Sequence, residues 1–281
     1  MKWRGRRGSG NVVDRRRMGA TGGGLSIVGV LLVLGVGYFF GIDVRPVLEA
    51  TGVGMNEGQP GEVQLTEQDQ QIGQFVSVVL ADTEEVWTDV LASQENVRYQ
   101  PPQLVLFSGS TQSQCGGASA ATGPFYCPLD QKAYLDTDFF QIMERRMGAG
   151  GDFAAAYVIA HEVAHHVQNQ LGLLSSMRQT REDQNRQSVR IELMADCLSG
   201  VWARQAAQRF GSLEPGDVEE AINAAKEIGD DELQREAGQR VRPHTFTHGT
   251  SEQRQRWFAT GYNNPQDIDA CDTRQIDYAR L

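Results

Sequence analysis

Apolar and polar positions along the chain change period several times. From Leu25 to Ile42 there is no polar period: LSIVGVLLVLGVGYFFGI carries no charge. As a helix it would be roughly 27 Å long, close to the hydrocarbon thickness of a bilayer. A core helix would keep a polar face, so this stretch is read as a transmembrane signal-anchor helix. Residues 43–64 are rich in Gly and polar groups and read as a juxtamembrane linker. Ile72, Phe75, Val76, Val79 and Leu80 then recur at helical spacing behind Thr66, a candidate N-cap. Thr83 is a candidate cap for a continuation through Val86, Val90 and Leu91. Pro101 and Pro102 break the pattern, Leu104–Phe107 is strand-like, and 108–123 is Gly/Ser/Thr/Ala-rich and loop-like. Phe125–Cys127 and Lys132–Leu135 pair as strands around the Pro128–Gln131 turn. Helices follow at roughly 151–170, 183–210, 215–228 and 250–261. The predicted class is α+β, dominated by helices, with a small sheet before the first long helix.

Charge sharpens this division. Residues 1–42 carry Lys2, Arg4, Arg6, Arg7, Arg15, Arg16 and Arg17 against the single acid Asp14. The rest keeps 19 of the 26 basic and 35 of the 36 acidic residues, a net of −16. So acidic a body repels nucleic acid, and no nucleic-acid partner is expected. Positive charge before the span places the N-terminus in the cytoplasm and the body outside, in the periplasm of an inner-membrane protein. The expected organisation is a basic cytoplasmic head (1–24), a single span (25–42), a linker (43–64) and an extracytoplasmic domain (65–281). No small-x-small site follows the span, which disfavours a cleaved signal peptide. Gly37 and Gly41 form one GxxxG, a weak pointer to a homo-oligomer. Cys115, Cys127, Cys197 and Cys271 all lie beyond the span, where an even count favours two disulfides. Three connectivities exist; closeness in sequence favours Cys115–Cys127, which leaves Cys197–Cys271.

The helix around 153–170 contains His161-Glu162-Val163-Ala164-His165, an HExxH match. Residues four apart on a helix share a face, so both imidazoles can reach one Zn²⁺. Glu162, about 100° round the helix, stands where a base for a metal-activated water is needed. His166 points off that face and is read as a satisfied histidine. Leu171 occupies the position of a metzincin's third ligand, so the third ligand is sought on a later helix. Glu192 lies in an apolar stretch with Leu193, Met194 and Leu198 and is the candidate. Asp196, one turn on, can accept the free ring N–H of His161.

HExxH followed by ExxxD is the gluzincin pattern. Together with GPFYC, HEVAHH, ELMADC and HGTSEQR, it makes the chain resemble the bacterial membrane-anchored neutral zinc metallopeptidase family over nearly its whole length. The resemblance implies a zincin-like core, one zinc per chain and endopeptidase action on envelope or extracytoplasmic proteins. The strand near Lys132–Leu135 is placed, by analogy with zincins, at the edge where substrate pairs. The alternative class is a zinc-binding assembly or chaperone-like factor without turnover, which would need the ligands but not Glu162. The His248-x5-Arg254 spacing is similar to that of membrane gluzincins of the prenyl-protease type, which implies a substrate-facing pair at His248 and Arg254. His244 is the alternative to His248.

Overall fold

The computed structural model describes residues 1–17, 64–119, 122–146, 148–177 and 182–281. The expected span 25–42, its Gly37 and Gly41, and nearly all of the linker lie outside these residues. Among the described residues, no helix is long and apolar enough to cross a membrane.

Strand β1 (Val12–Asp14) comes first, and helix α1 (Glu67–Val90) opens the body. Thr66 caps α1 with a capping box to Asp69. The helix runs unbroken through Thr83, whose hydroxyl bonds back to the Leu80 carbonyl instead of capping a second helix. After a π turn at Leu91–Glu95 come β2 (Gln103–Phe107), β3 (Ser110–Ser113), β4 (Gly116–Ser119), β5 (Phe125–Cys127) and β6 (Lys132–Asp136). The expected loop at 108–123 thus contains a hairpin, β3 with β4, turning over Gln114 and Cys115. Its strands are polar, so no apolar alternation announced them. Seven helices complete the described chain: α2 (Thr137–Arg146), α3 (Asp152–Gln170), α4 (Leu173–Met177), α5 (Gln184–Phe210), α6 (Asp217–Glu227), α7 (Asp230–Glu236) and α8 (Ser251–Asn263). The structure is α+β and helix-dominated, as expected.

The main sheet has the order β1-β2-β6-β5, parallel except for β5, which is antiparallel to β6. Here one expectation is corrected. Lys132–Leu135 is not an edge strand, because β6 is hydrogen-bonded on both sides; the edges are β1 and β5. The cysteines form Cys115–Cys127, tying the hairpin to β5, and Cys197–Cys271, tying α5 to the C-terminal turns. Helices α5 and α8 approach backbone to backbone. A Cβ on Gly261 would stand 1.7 Å from the Cys197 carbonyl oxygen, and one on Gly200 would stand 2.1 Å from that of Phe258. Only glycine allows this approach.

The head of the chain also differs from expectation. Residues 1–17 are built into the domain instead of standing apart from it. Trp3 is buried edge-on against Phe75, and β1 pairs in parallel with β2. Arg6 forms a two-pronged pair with the buried Asp82, at 2.6 Å on both arms, and lies over the Phe210 ring. Arg16 is buried, held by Asp14 and by the Asp69 carbonyl. Apart from the Asp14–Arg16 pair these contacts are long-range, and they leave no periodic trace in so short a segment.

Burial pushes the Asp82 carboxyl up to about 6 even against the pull of Arg6. Arg6→Ala should therefore cost on the order of 2–3 kcal/mol at pH 8, less than a fully buried pair because Arg6 is partly exposed. The folded-state pKa lies above the ordinary 3.8, so ionised Asp82 is a cost that vanishes as the group protonates. The Tm gap between wild type and Arg6→Ala should narrow as pH falls through about 6. A gap independent of pH in a thermal melt series would show that Asp82 is not the partner that matters.

Candidate metal centre

Helix α3 is apolar around most of its girth and is buried between α1, α5, α6 and the sheet. Its N-cap, Gly151, offers no side chain; instead, Glu220 of α6 accepts the N–H of Phe153 at 3.0 Å. On this helix Tyr157, His161 and His165 follow at intervals of four and line one cleft. Glu192 of α5 meets them: its Oε2 lies 3.0 Å from His161 Nε2 and its Oε1 3.5 Å from His165 Nε2. Helices α3 and α5 thus bring His161, His165 and Glu192 to one point.

Each imidazole is oriented from behind. His165 Nδ1 lies 2.9 Å from the Gln168 amide oxygen, and the amide nitrogen of Gln168 donates to the Ile191 carbonyl at 2.7 Å. The Gln168 amide is thereby turned so that His165 carries its proton on Nδ1 and presents a bare Nε2 to the cleft. Behind His161 stands Asp196, fully buried, with Oδ1 2.9 Å from Nδ1. This is ion-pair distance, but the N–H axis is off line for a hydrogen bond, and Nδ1 has no hydrogen-bond partner in this geometry.

Asp196 has other bonds. Arg254 of α8 grips it through Nε (2.8 Å) and Nη2 (2.9 Å), and the Tyr157 hydroxyl donates to it at 2.5 Å. Burial works against the charge, yet Arg254 and His161 hold the carboxyl down at about 2. Arg254 also donates to the Ile228 carbonyl and to the Tyr157 hydroxyl. Four of its five N–H groups are thus committed. Arg254 borders the cleft, as the sequence suggested, but its guanidinium holds Asp196 instead of reaching for a ligand.

Glu162 is buried beside the trio and lines the same cleft. Burial raises its pKa, while His165 and His161 pull it down. His166 stands apart, with Nδ1 3.0 Å from the Tyr126 hydroxyl and Nε2 2.6 Å from the Gln100 carbonyl. His248 reaches the cleft from the loop before α8, which Thr250 caps. Asp230 organises that loop: its Oδ2 accepts the N–H groups of Thr247, His248 and Gly249 at 2.7, 2.6 and 3.0 Å. His248 Nδ1 lies 3.0 Å from the Thr247 hydroxyl and 3.2 Å from Asp230 Oδ1, which leaves Nε2 as the ring nitrogen available to a ligand. Partial desolvation of this half-exposed ring disfavours its charge, but Asp230 and Glu192 raise the His248 pKa. Gly249 has φ +97°, a conformation proline could not adopt. His244 is exposed and does not line the cleft.

Sequence reasoning missed Tyr157, Gln168 and Asp230. Tyr157 carried a signal, being one turn before His161 on the ligand face. Gln168 lies three residues after His165, the spacing at which a helical side chain can reach back. Asp230 had none, since an acid at a helix start reads as a response to the helix dipole.

The donor set suits zinc. Two imidazole nitrogens and a carboxylate, whose ligand atoms lie within 4.8 Å of one another, match a catalytic site with its fourth position open. Each imidazole Nε2 has its own oxygen of Glu192 nearby, at 3.0 and 3.5 Å, close enough for one ion to lie among the three side chains. The cleft above has a volume of about 680 Å³. Phe139, Ile142, Val158, Ile228 and Leu233 form much of its wall, with Gly123–Tyr126, running into β5, along one rim.

A family model described as "Putative neutral zinc metallopeptidase" matches residues 1–274. The chain is 43% identical over 287 residues to the uncharacterized protein YpfJ of Escherichia coli K12, covering 94% of this chain and 96% of that one. It is 44% identical over 198 residues to the uncharacterized protein Rv2575 of Mycobacterium tuberculosis H37Rv, covering 67% of this chain and 66% of that one. The uncharacterized protein Mb2605 of Mycobacterium bovis matches to the same extent. No solved structure matches the chain.

If Gln168 sets the His165 tautomer, Gln168→Leu should weaken zinc binding by roughly 10–100-fold while the far-UV circular dichroism stays unchanged. Competition against a chromophoric chelator measures this. Wild-type affinity in the variant would show that His165 does not depend on Gln168.

Proposed function

Because the chain belongs to the family described as "Putative neutral zinc metallopeptidase", we propose that it is a zinc-dependent endopeptidase whose ion is held by His161, His165 and Glu192. The observation that carries this reading is Glu162, a buried carboxylate beside the three converging donors and on the same cleft. A zinc scaffold without turnover needs the donors but has no use for that group.

Bound zinc would supply a Lewis acid that brings water's pKa towards about 7 and polarises a carbonyl. The chain does the rest. Glu162 takes the proton from the attacking water and passes it to the leaving amine nitrogen. His248, oriented by Asp230, offers Nε2–H across the cleft to the oxygen that gains charge. Tyr157 and Arg254 act at one remove, holding Asp196 so that His161 keeps its direction. The substrate is an extended peptide laid along the free edge of β5, with an apolar side chain in the pocket of Phe139, Ile142, Val158, Ile228 and Leu233. Two disulfides favour an oxidising compartment, so we place the domain outside the cytoplasm, on envelope substrates, with 25–42 as its membrane contact.

Glu162→Gln should abolish peptide hydrolysis while zinc content stays at one per chain, whereas His161→Ala, His165→Ala and Glu192→Ala should each lose the metal. Elemental analysis beside a peptide-library assay checks both. Full zinc in Glu192→Ala would move the third ligand elsewhere, and undiminished hydrolysis in Glu162→Gln would remove the proposed base.

His248→Ala should lower kcat by roughly 10²–10³ with little change in KM or zinc content. Wild-type kcat on a cleaved peptide would exclude His248 from the mechanism.

A further inference from the structure

Seven basic residues before an apolar stretch are the usual mark of a cytoplasmic head. In the fold three of those charges have another use. Arg6 neutralises Asp82, Arg15 donates to the Gln112 carbonyl and to the Thr111 hydroxyl, and Arg16 is held by Asp14 and the Asp69 carbonyl. One of these contacts, Arg6 with Asp82, joins opposite charges of head and domain; the others go to neutral acceptors of the domain or to Asp14 within the head.

The sheet makes the attachment structural. Strand β2 is almost wholly buried from Leu104 to Phe107, and β1 is its outer neighbour. Leu104 N–H donates to the Asn11 carbonyl at 2.9 Å and Arg15 N–H to that of Leu106 at 2.8 Å. Without β1 these apolar residues would line a bare sheet edge, with unpaired backbone groups inviting other strands. Trp3 and the Ser9 N–H, which donates to the Ser77 carbonyl at 2.9 Å, fasten the same segment to α1.

Residues 1–17 and the chain from residue 64 onwards are thus parts of one domain. Between them the sequence has one uncharged run, Met18–Ile42; residues 43–63 carry Asp43, Arg45, Glu49, Glu57 and Glu62. One run suffices for one crossing, and a crossing and return need two. We infer that residues 1–17 lie on the same side of the membrane as the metal centre, docked on its domain, so that 25–42 does not carry the chain from one side to the other. The inference takes from the proposed function only the membrane role of 25–42. It stands against the expected single pass with a cytoplasmic N-terminus.

Two single cysteines test it in the full-length protein. A Cβ at Gly10 meets nothing within 4 Å, and Glu236 is exposed on α7. Gly10→Cys and Glu236→Cys should react alike with a membrane-impermeant maleimide in spheroplasts. Labelling at 236 with loss of labelling at 10 until lysis would overturn the inference. Protection of both until lysis would uphold it while refuting the extracytoplasmic placement of the domain. Sedimentation of the protein with carbonate-washed membranes reports separately on the membrane role. A second variant does not depend on labelling. An ideal Cβ at Gly8 stands 3.3 Å from Ser77 Cβ, close to disulfide spacing, so Gly8→Cys with Ser77→Cys should yield an 8–77 cross-linked peptide after oxidation of whole cells. Absence of that peptide, when both thiols react after lysis, would likewise count against docking of the head.

Discussion

The site rests on one buried carboxylate. Asp196 has no exposure to solvent, and a charge in such a position is tolerated only when it is fully paired. Arg254 supplies two hydrogen bonds, Tyr157 a third, and His161 lies at ion-pair distance. Each partner comes with its own constraint. Arg254 must reach across from α8, which requires the backbone contact at Gly200 and Gly261. Tyr157 must sit one turn below His161. Loss of any member would leave a charged or polar group stranded in the core, so the arrangement is held together by the cost of its alternatives.

From that centre the chemistry is laid out on rigid elements. Two long helices carry the three candidate ligands, and the two imidazoles are fixed by different means: a charged carboxylate behind His161 and a neutral amide behind His165. A carboxylate neighbour makes a histidine more basic as a ligand than an amide does. The two nitrogens thus differ electronically although they present the same face. The opposite wall is less rigid by construction. His248 sits on a loop, and Asp230 gathers three successive N–H groups to give that loop one conformation.

The head of the chain links this site to its surroundings. Helix α1, on which Trp3, Arg6 and Ser9 rest, packs against α3, the helix of the HExxH motif. Attachment of residues 1–17 is therefore part of the same core that supports the metal centre. The net of −16 over residues 43–281 gives the basic head an electrostatic partner within its own chain.

What could be read from the sequence was what is local. The i, i+4 spacing of His161 and His165, the place of Glu162 beside them, the apolar helix bearing Glu192 and Asp196, and the helix bounds near 151–170 and 183–210 all follow from a period of 3.6 residues. Cysteine count and closeness gave both disulfides for a similar reason. Tertiary structure decided whatever depends on segments distant in the chain. It gave Arg254 to Asp196 instead of to substrate, since the reach of α8 is set by two glycines 61 residues apart. It made β5 an edge and β6 an inner strand, because strand order is a matter of who pairs with whom and leaves no mark on either strand's composition. It also drew residues 1–17 into the sheet. A three-residue strand and scattered arginines have no period of their own, and their meaning appears only beside β2 and Asp82.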